Sequence, residues 1–330
     1  MRQIIIPAFL CTAIFSLLYL PARAAHGQNQ APSPSSSAVR VVTNEVILPV
    51  TVTDATGELV LDLSQNDFHV FDDGVEQAIE HWDLGGDPLA VALVVQTSSR
   101  PHAMIPEIHS LAPIFTETVM ALDGEAALIT YDSWVEVRQS FTSDHDSVEK
   151  AITRIDVEDS HMHLYDAMAR AVEMLKGETM RRRILFVIGE SRDDGSHANF
   201  GAVVRDAQHS NISIYAVGSS SAARDFFQDA PSLWAAPAIF LLQQGKYRGK
   251  NHDLEVAAAA TGGIHYNVVR SATLREVTDR IGGELHAQYI IGYQPNSERG
   301  SGFHSVTVTI SRPNVSVRTR PGYYVAGFDR

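Results

Sequence analysis

Leu89-Ala90-Val91-Ala92-Leu93-Val94-Val95-Gln96-Thr97-Ser98-Ser99-Arg100 is the stretch on which the fold turns. A strand with one wet face alternates apolar and polar residues, whereas one covered on both faces does not. The unbroken run from Leu89 to Val95 therefore reads as a central strand of a parallel sheet. Its end is polar and hydroxyl-rich, and in an open α/β sheet that edge is where ligands bind.

Downstream the chain alternates strand and helix, the pattern of a mostly parallel sheet with helices on both faces. A helix is expected over 105–122, with Pro113 kinking or restarting it. Ala126 to Tyr131 and Val135 to Phe141 read as a strand pair around Asp132-Ser133. Helices follow from Ser143 or Asp144 to Ile155 and from Leu164 to Leu175, the second stopped by Gly177. Ile184 to Ile188 is a second fully apolar strand. Phe200 to Ser210 reads as helix and Ile212 to Val217 as strand. Residues 219–250 look like a surface insertion. A helix over Leu254–Thr261, a last sheet strand at Ile264–Asn267 and a helix over Leu274–Leu285 close this α/β domain, bounded at 87–286.

Both flanks read as β. Asn44 to Thr53 is β-branched, and Phe68 to Asp72 is a strand ending in an Asp73-Gly74 turn, with Val75 to Trp82 as the returning strand. This is a small N-terminal β domain over 41–86, too short to be stable unless it docks on its neighbour. Tyr289–Tyr293, Ser305–Ile310 and Val315–Arg318 alternate cleanly and form a C-terminal β-hairpin segment over 287–330.

The first residues read as an export signal. Met1-Arg2 is followed by an apolar run, Ile4 to Leu20, and by the small-residue pattern Ala22-Arg23-Ala24. Residues 1–24 are expected to be a signal peptide, with an uncleaved anchor as the alternative, and 25–40 a flexible linker. Cleavage would leave no stable membrane span, and the mature chain would be periplasmic or extracellular. The only cysteine, Cys11, lies inside the signal, so the mature chain has no disulfide and no thiolate chemistry. The net charge of −13 across 330 residues argues against nucleic acid as a partner.

Several landmarks together resemble a bacterial family of exported VWFA-related proteins, of the von Willebrand factor type A (vWA) superfamily. They are Pro49 to Asp54, Asp67 to Gly74, Leu164-Tyr165-Asp166-Ala167, Gln288 to Tyr293 and Arg320-Pro321-Gly322-Tyr323-Tyr324. The resemblance implies a Rossmann-like vWA sheet and a partner-binding role. In such domains an Asp-x-Ser-x-Ser loop, a threonine and a further aspartate hold a divalent cation. Here those positions fall on Gln96, Ser98 and Arg100, on Met162, and on Gly189 or, better, Glu190. Mg²⁺ or Ca²⁺ wants hard oxygen ligands; a neutral amide, a fixed guanidinium and a thioether replace three of them, so no cofactor is expected. Arg100 is free to pair with Glu190 and stand in for the ion's charge, and a partner carboxylate would then meet a guanidinium directly.

The expected function is thus an exported, non-enzymatic interaction or adhesion protein. Its partner, a protein or a matrix or envelope component, would bind along Ser98, Arg100, His161, His163, Glu190 and Arg192. A metal-dependent binder or sensor is the alternative. It would use Ser98 and Glu190 with relocated ligands: His161 and His163, which also read as plain loop histidines, or Asp193 and Asp194, which also read as a solvated turn. A hydrolase with an unrecognised site is the third reading. No nucleophile elbow surrounds Ser98, and no phosphate loop follows a strand, so catalysis has no motif behind it.

Overall fold

The computed structural model describes residues 45–98, 105–157, 161–179, 181–218, 252–267, 273–295 and 300–325. The expected signal peptide and linker, Arg100 and the 219–250 insertion lie outside them. Fourteen strands and six helices are named below among the described residues.

Leu89–Gln96 (β5) is buried along its whole length. It lies between β8 (Arg182–Ile188) and β6 (Glu125–Tyr131), parallel to both. The six-stranded sheet runs β10-β9-β8-β5-β6-β7, where β7 is Val135–Thr142, β9 Ile212–Gly218 and β10 His265–Asn267. Only β7 is antiparallel. Alternate β5 residues feed two cores. Leu89, Val91, Leu93 and Val95 meet α1 (Ile105–Ile114), α2 (His145–Ile152) and α6 (Leu274–His286). The smaller Ala90, Ala92 and Val94 meet α3 (Leu164–Lys176), α4 (Phe200–His209) and α5 (Asp253–Thr261). With an apolar core on each side, neither face of β5 has a polar position to offer, and this is why the run is unbroken.

At Pro113 the helix changes type rather than ending. The chain passes through it and widens into π-helical turns over Phe115–Met120. Proline removes an N–H donor. The Thr116 hydroxyl turns back to the carbonyls of Pro113 at 3.0 Å and Ala112 at 3.3 Å, and Ala121 N–H reaches Thr116 O, five residues back, at 3.0 Å.

The two β flanks are not separate elements. β1 (Val46–Asp54) pairs with β11 (Tyr289–Tyr293) through its first half and with β13 (Val315–Arg318) through its second. β2 (Phe68–Asp72) pairs with β12 (Gly302–Ile310). The stretch 75–82 divides between sheets: β3 (Val75–Gln77) pairs with β2, and β4 (His81–Leu84) pairs with β11. Two four-stranded sheets result, β13-β1-β11-β4 and β14-β12-β2-β3, with β14 spanning Gly322–Val325. Their inner faces pack as a sandwich around Leu48, Val50, Val70, Ile291 and Val308. Phe68 and Tyr289 meet across it with ring centroids 4.9 Å apart. The N-terminal segment thus gains its core from strands at the other end of the chain, which answers its shortage of size.

Buried polar groups weld the sandwich to the α/β sheet. Glu284 on α6 accepts from Tyr215 on β9 at 2.7 Å and pairs with Arg318 on β13. Gln288 donates to Thr51 on β1 at 3.0 Å and accepts from Arg182 on β8. Arg320, almost fully buried, donates to Asn211 and to Ile47 O; burial pushes its guanidinium down to about 10. The Arg320-Pro321-Gly322 ending therefore serves as a tie between the two parts.

Candidate functional site

The C-terminal ends of β5, β6 and β8 converge on one edge. Gln96 ends β5 with its side chain buried. Its Nε2 donates to Ser98 Oγ at 2.6 Å, and its Oε1 accepts from the backbone N–H of Glu190 at 2.6 Å. A single neutral amide thereby holds together two of the positions singled out in the sequence. Gly189 precedes Glu190 because nothing larger fits: a Cβ there would lie 2.3 Å from Tyr131 Oη and 2.9 Å from Gln96 Oε1. The Tyr131 hydroxyl is buried with no hydrogen-bond partner among the described residues. Burial, with the nearby charges of Glu190 and Asp193, holds that phenol far above its ordinary range.

The loop after β8 is locked to the start of α3. The first N–H groups of a helix have no intrahelical partner, and no side chain at His163 caps this one. Asp193 Oδ1 accepts from Tyr165 N at 3.2 Å, and Ser196 Oγ accepts from Asp166 N at 3.0 Å. Asp166 returns the contact, accepting from Ala198 N at 2.7 Å and His197 N at 3.1 Å. Carboxylates at this helix end also suit the macrodipole. Asp194 Oδ1 accepts from Met162 N at 2.7 Å, and Asp194 N donates to Met162 O at 3.0 Å.

The residues singled out from sequence therefore divide. Gln96, Ser98 and Glu190 form one hydrogen-bonded group. Met162 is fully buried in the apolar core. Asp193 and Asp194 lie in the irregular loop after β8, and their carboxylates cap backbone donors. His161 is exposed, 3.8 Å from Asp194, and His163 lies 4.0 Å from Asp166. The two histidines thus face different acids, and no common ligand pair emerges from their contacts.

Other groups at this edge were not singled out. Asp132, buried in the turn after β6, accepts from Thr97 Oγ1 at 3.1 Å and from Trp134 N at 2.9 Å. Ser191 Oγ accepts from Leu254 N at 2.9 Å, which brings the start of α5 to the same edge. There Asp253 accepts from the Tyr165 hydroxyl, and burial pushes the Asp253 carboxyl up. Glu255 lies between His252 at 2.6 Å and His265 at 3.3 Å. Burial raises its carboxyl, but the two imidazoles outweigh that and hold it below its usual range. In the sequence Leu164-Tyr165-Asp166 stands out as a landmark, but its loop-binding role is invisible without the partner residues.

Asp72, Asp73 and His304 are the group of side chains with metal-like spacing among the described residues, their ligand atoms within 4.8 Å of one another. They belong to the sandwich. Asp72 accepts from Tyr293 at 2.8 Å and Tyr323 at 2.9 Å, and Asp73 from His304 at 2.7 Å. These hydrogen bonds engage Asp72 Oδ2, Asp73 Oδ2 and His304 Nδ1.

Residues 62–192 match the family model described as von Willebrand factor type A domain. No curated protein matches the sequence. Among solved structures, an aerotolerance-related membrane protein from Bacteroides fragilis is similar at 14% identity and a TM-score of 0.44, covering 60% of this chain and 98% of that one. A von Willebrand factor type A protein from Catenulispora acidiphila is similar at 8% identity and a TM-score of 0.47, covering 81% and 76%. Proximal thread matrix protein 1 from the mussel byssus, with a zinc-occupied MIDAS motif, is similar at 11% identity and a TM-score of 0.46, covering 66% and 50%. With residues 62–192 matching that family model, the helix-covered, mostly parallel sheet centred on β5 gives the α/β part of the chain the von Willebrand factor type A fold.

Proposed function

We propose that this is an exported, non-enzymatic interaction protein whose vWA sheet edge binds a protein or matrix partner without a divalent cation. The observation that carries the reading is the Gln96 amide, which bridges Ser98 Oγ and Glu190 N–H. A hard cation is best served by oxygens free to turn their lone pairs toward it. Here the carboxylate position is an amide whose oxygen is already engaged, and the threonine position is the core side chain of Met162. The carboxylates of Asp193 and Asp194 cap backbone donors. The donor set therefore does not fit Mg²⁺ or Ca²⁺.

Export rests on the sequence of residues 1–24. Among the described residues no helix is long and apolar enough to cross a membrane. The non-enzymatic reading is supported by the edge itself, where Ser98 accepts from an amide and, among the described residues, no imidazole is bonded to it as a base.

Two measurements test the proposal. Elemental analysis and calorimetric titration with Mg²⁺, Ca²⁺ and Zn²⁺ should find no stoichiometric ion at the edge. Capture of the partner on immobilised protein should be the same in excess chelator. Stoichiometric metal lost on Ser98→Ala, or capture abolished by chelation, would overturn it.

A further inference from the structure

Trp134 stands at the tip of the β6–β7 hairpin and is 79% exposed. Tryptophan joins a large apolar face to a polar edge and is enriched at protein interfaces. Its position is held. Asp132 accepts from Trp134 N at 2.9 Å and from Thr97 Oγ1 at 3.1 Å, and Asp132 O accepts from His163 N at 2.9 Å. The hairpin tip is thus tied both to the end of β5 and to the start of α3, the two elements that frame the proposed edge. The backbone that carries the indole is fixed, a tryptophan side chain has only two torsions to lose on binding, and tryptophans often dominate the energetics of protein interfaces.

The charge around it selects the partner's sign. Glu136 and Arg138, the exposed neighbours on β7, cancel as a pair 3.2 Å apart. The described residues of the β8 loop and the start of α3 carry four carboxylates, Glu190, Asp193, Asp194 and Asp166, and one guanidinium, Arg192. The face of an indole attracts cations, more strongly than any other aromatic side chain. A field of one sign over a docking edge both steers and selects the incoming group.

We infer that Trp134 anchors the docking edge, taking an arginine or lysine side chain from a basic segment of a protein partner against its indole face. The inference rests on the edge being a partner-binding surface, as proposed above, and adds the partner's chemistry; it replaces the expectation of a partner carboxylate at Arg100, which lies outside the described residues.

The test uses the intact protein in chelator, titrated with an octa-arginine peptide and, in parallel, with octa-glutamate. Octa-arginine binds and octa-glutamate does not. Trp134→Ala weakens octa-arginine by about three- to thirty-fold, with Trp134→Phe between the two. Both variants keep the charge of the chain, so general attraction to an acidic protein drops out of the comparison. Trp134 is exposed, and an unchanged thermal midpoint will show that the variants are folded. Equal affinity of the native protein and Trp134→Ala for octa-arginine, or preference for octa-glutamate, overturns the inference. Chelator-resistant partner capture that Trp134→Ala leaves intact defeats this inference alone, whereas capture lost on chelation defeats the metal-free reading.

Discussion

The Tyr215 hydroxyl on β9 donates to Glu284 Oε1 on α6 at 2.7 Å, and the same oxygen faces the Arg318 guanidinium from β13. Three segments distant in the chain meet at one buried carboxylate, where the sandwich sits on the vWA sheet. The negative charge there, foremost among the causes that offset burial, holds the Arg318 guanidinium above its ordinary range. Removing one member of a buried pair leaves the other uncompensated. Glu284→Ala is expected to lower stability by about 3–5 kcal/mol in urea unfolding. A loss below about 1 kcal/mol, the range of exposed pairs, would mean the seam is wet.

Gln96 offers a smaller and more local test. Gln96→Ala leaves Glu190 N–H and Ser98 Oγ without the amide that joins them, at a cost of about 1–3 kcal/mol for buried groups left unsatisfied. Amide exchange at Glu190 should quicken while the β5 interior stays protected. Unchanged exchange at Glu190 would show that another acceptor holds the loop.

Close approach of two chain segments makes a third prediction. A Cβ on Gly218 would lie 1.8 Å from Gly189 O, a backbone atom that cannot swing aside. Gly218→Ala is therefore expected to cost about 1–3 kcal/mol through overpacking. Gly283→Ala, with nothing within 4 Å of the added carbon, is the control and should be neutral or slightly stabilising.

Glu255 predicts a pH signature. Its carboxyl is depressed in the folded state, where His265 and His252 more than offset burial. The stability it contributes is fully present above the unfolded value of about 4.3 and is lost as pH falls through the lower folded value. Glu255→Gln should thus be less stable than the native protein at neutral pH, and the gap should close on acidification below about pH 4. A gap that stays constant with pH would remove the electrostatic explanation.

Much of this architecture was legible before any coordinates. The apolar runs at Leu89–Val95 and Ile184–Ile188 read as strands covered on both faces, and helix periodicity placed the layers around them. Glycine and proline signals were right where the chain obeys local rules. Gly177 and Gly262 follow the ends of α3 and α5, Gly262 with φ at +80°. At Pro113 the α-helix gives way to π-helical turns, and the Thr116 hydroxyl serves the carbonyls there.

What the sequence determined by itself was each segment's local preference: which stretches are strands, which are helices and which face of each is apolar. Only the tertiary structure decided that β1 pairs with β11 and β13, that 75–82 divides between two sheets, and that Gln96, Ser98 and Glu190 share one amide. Periodicity is a property of neighbours along the chain. Register between segments far apart, and the sharing of one buried polar group among them, arise only when the cores close and each desolvated donor must find its acceptor.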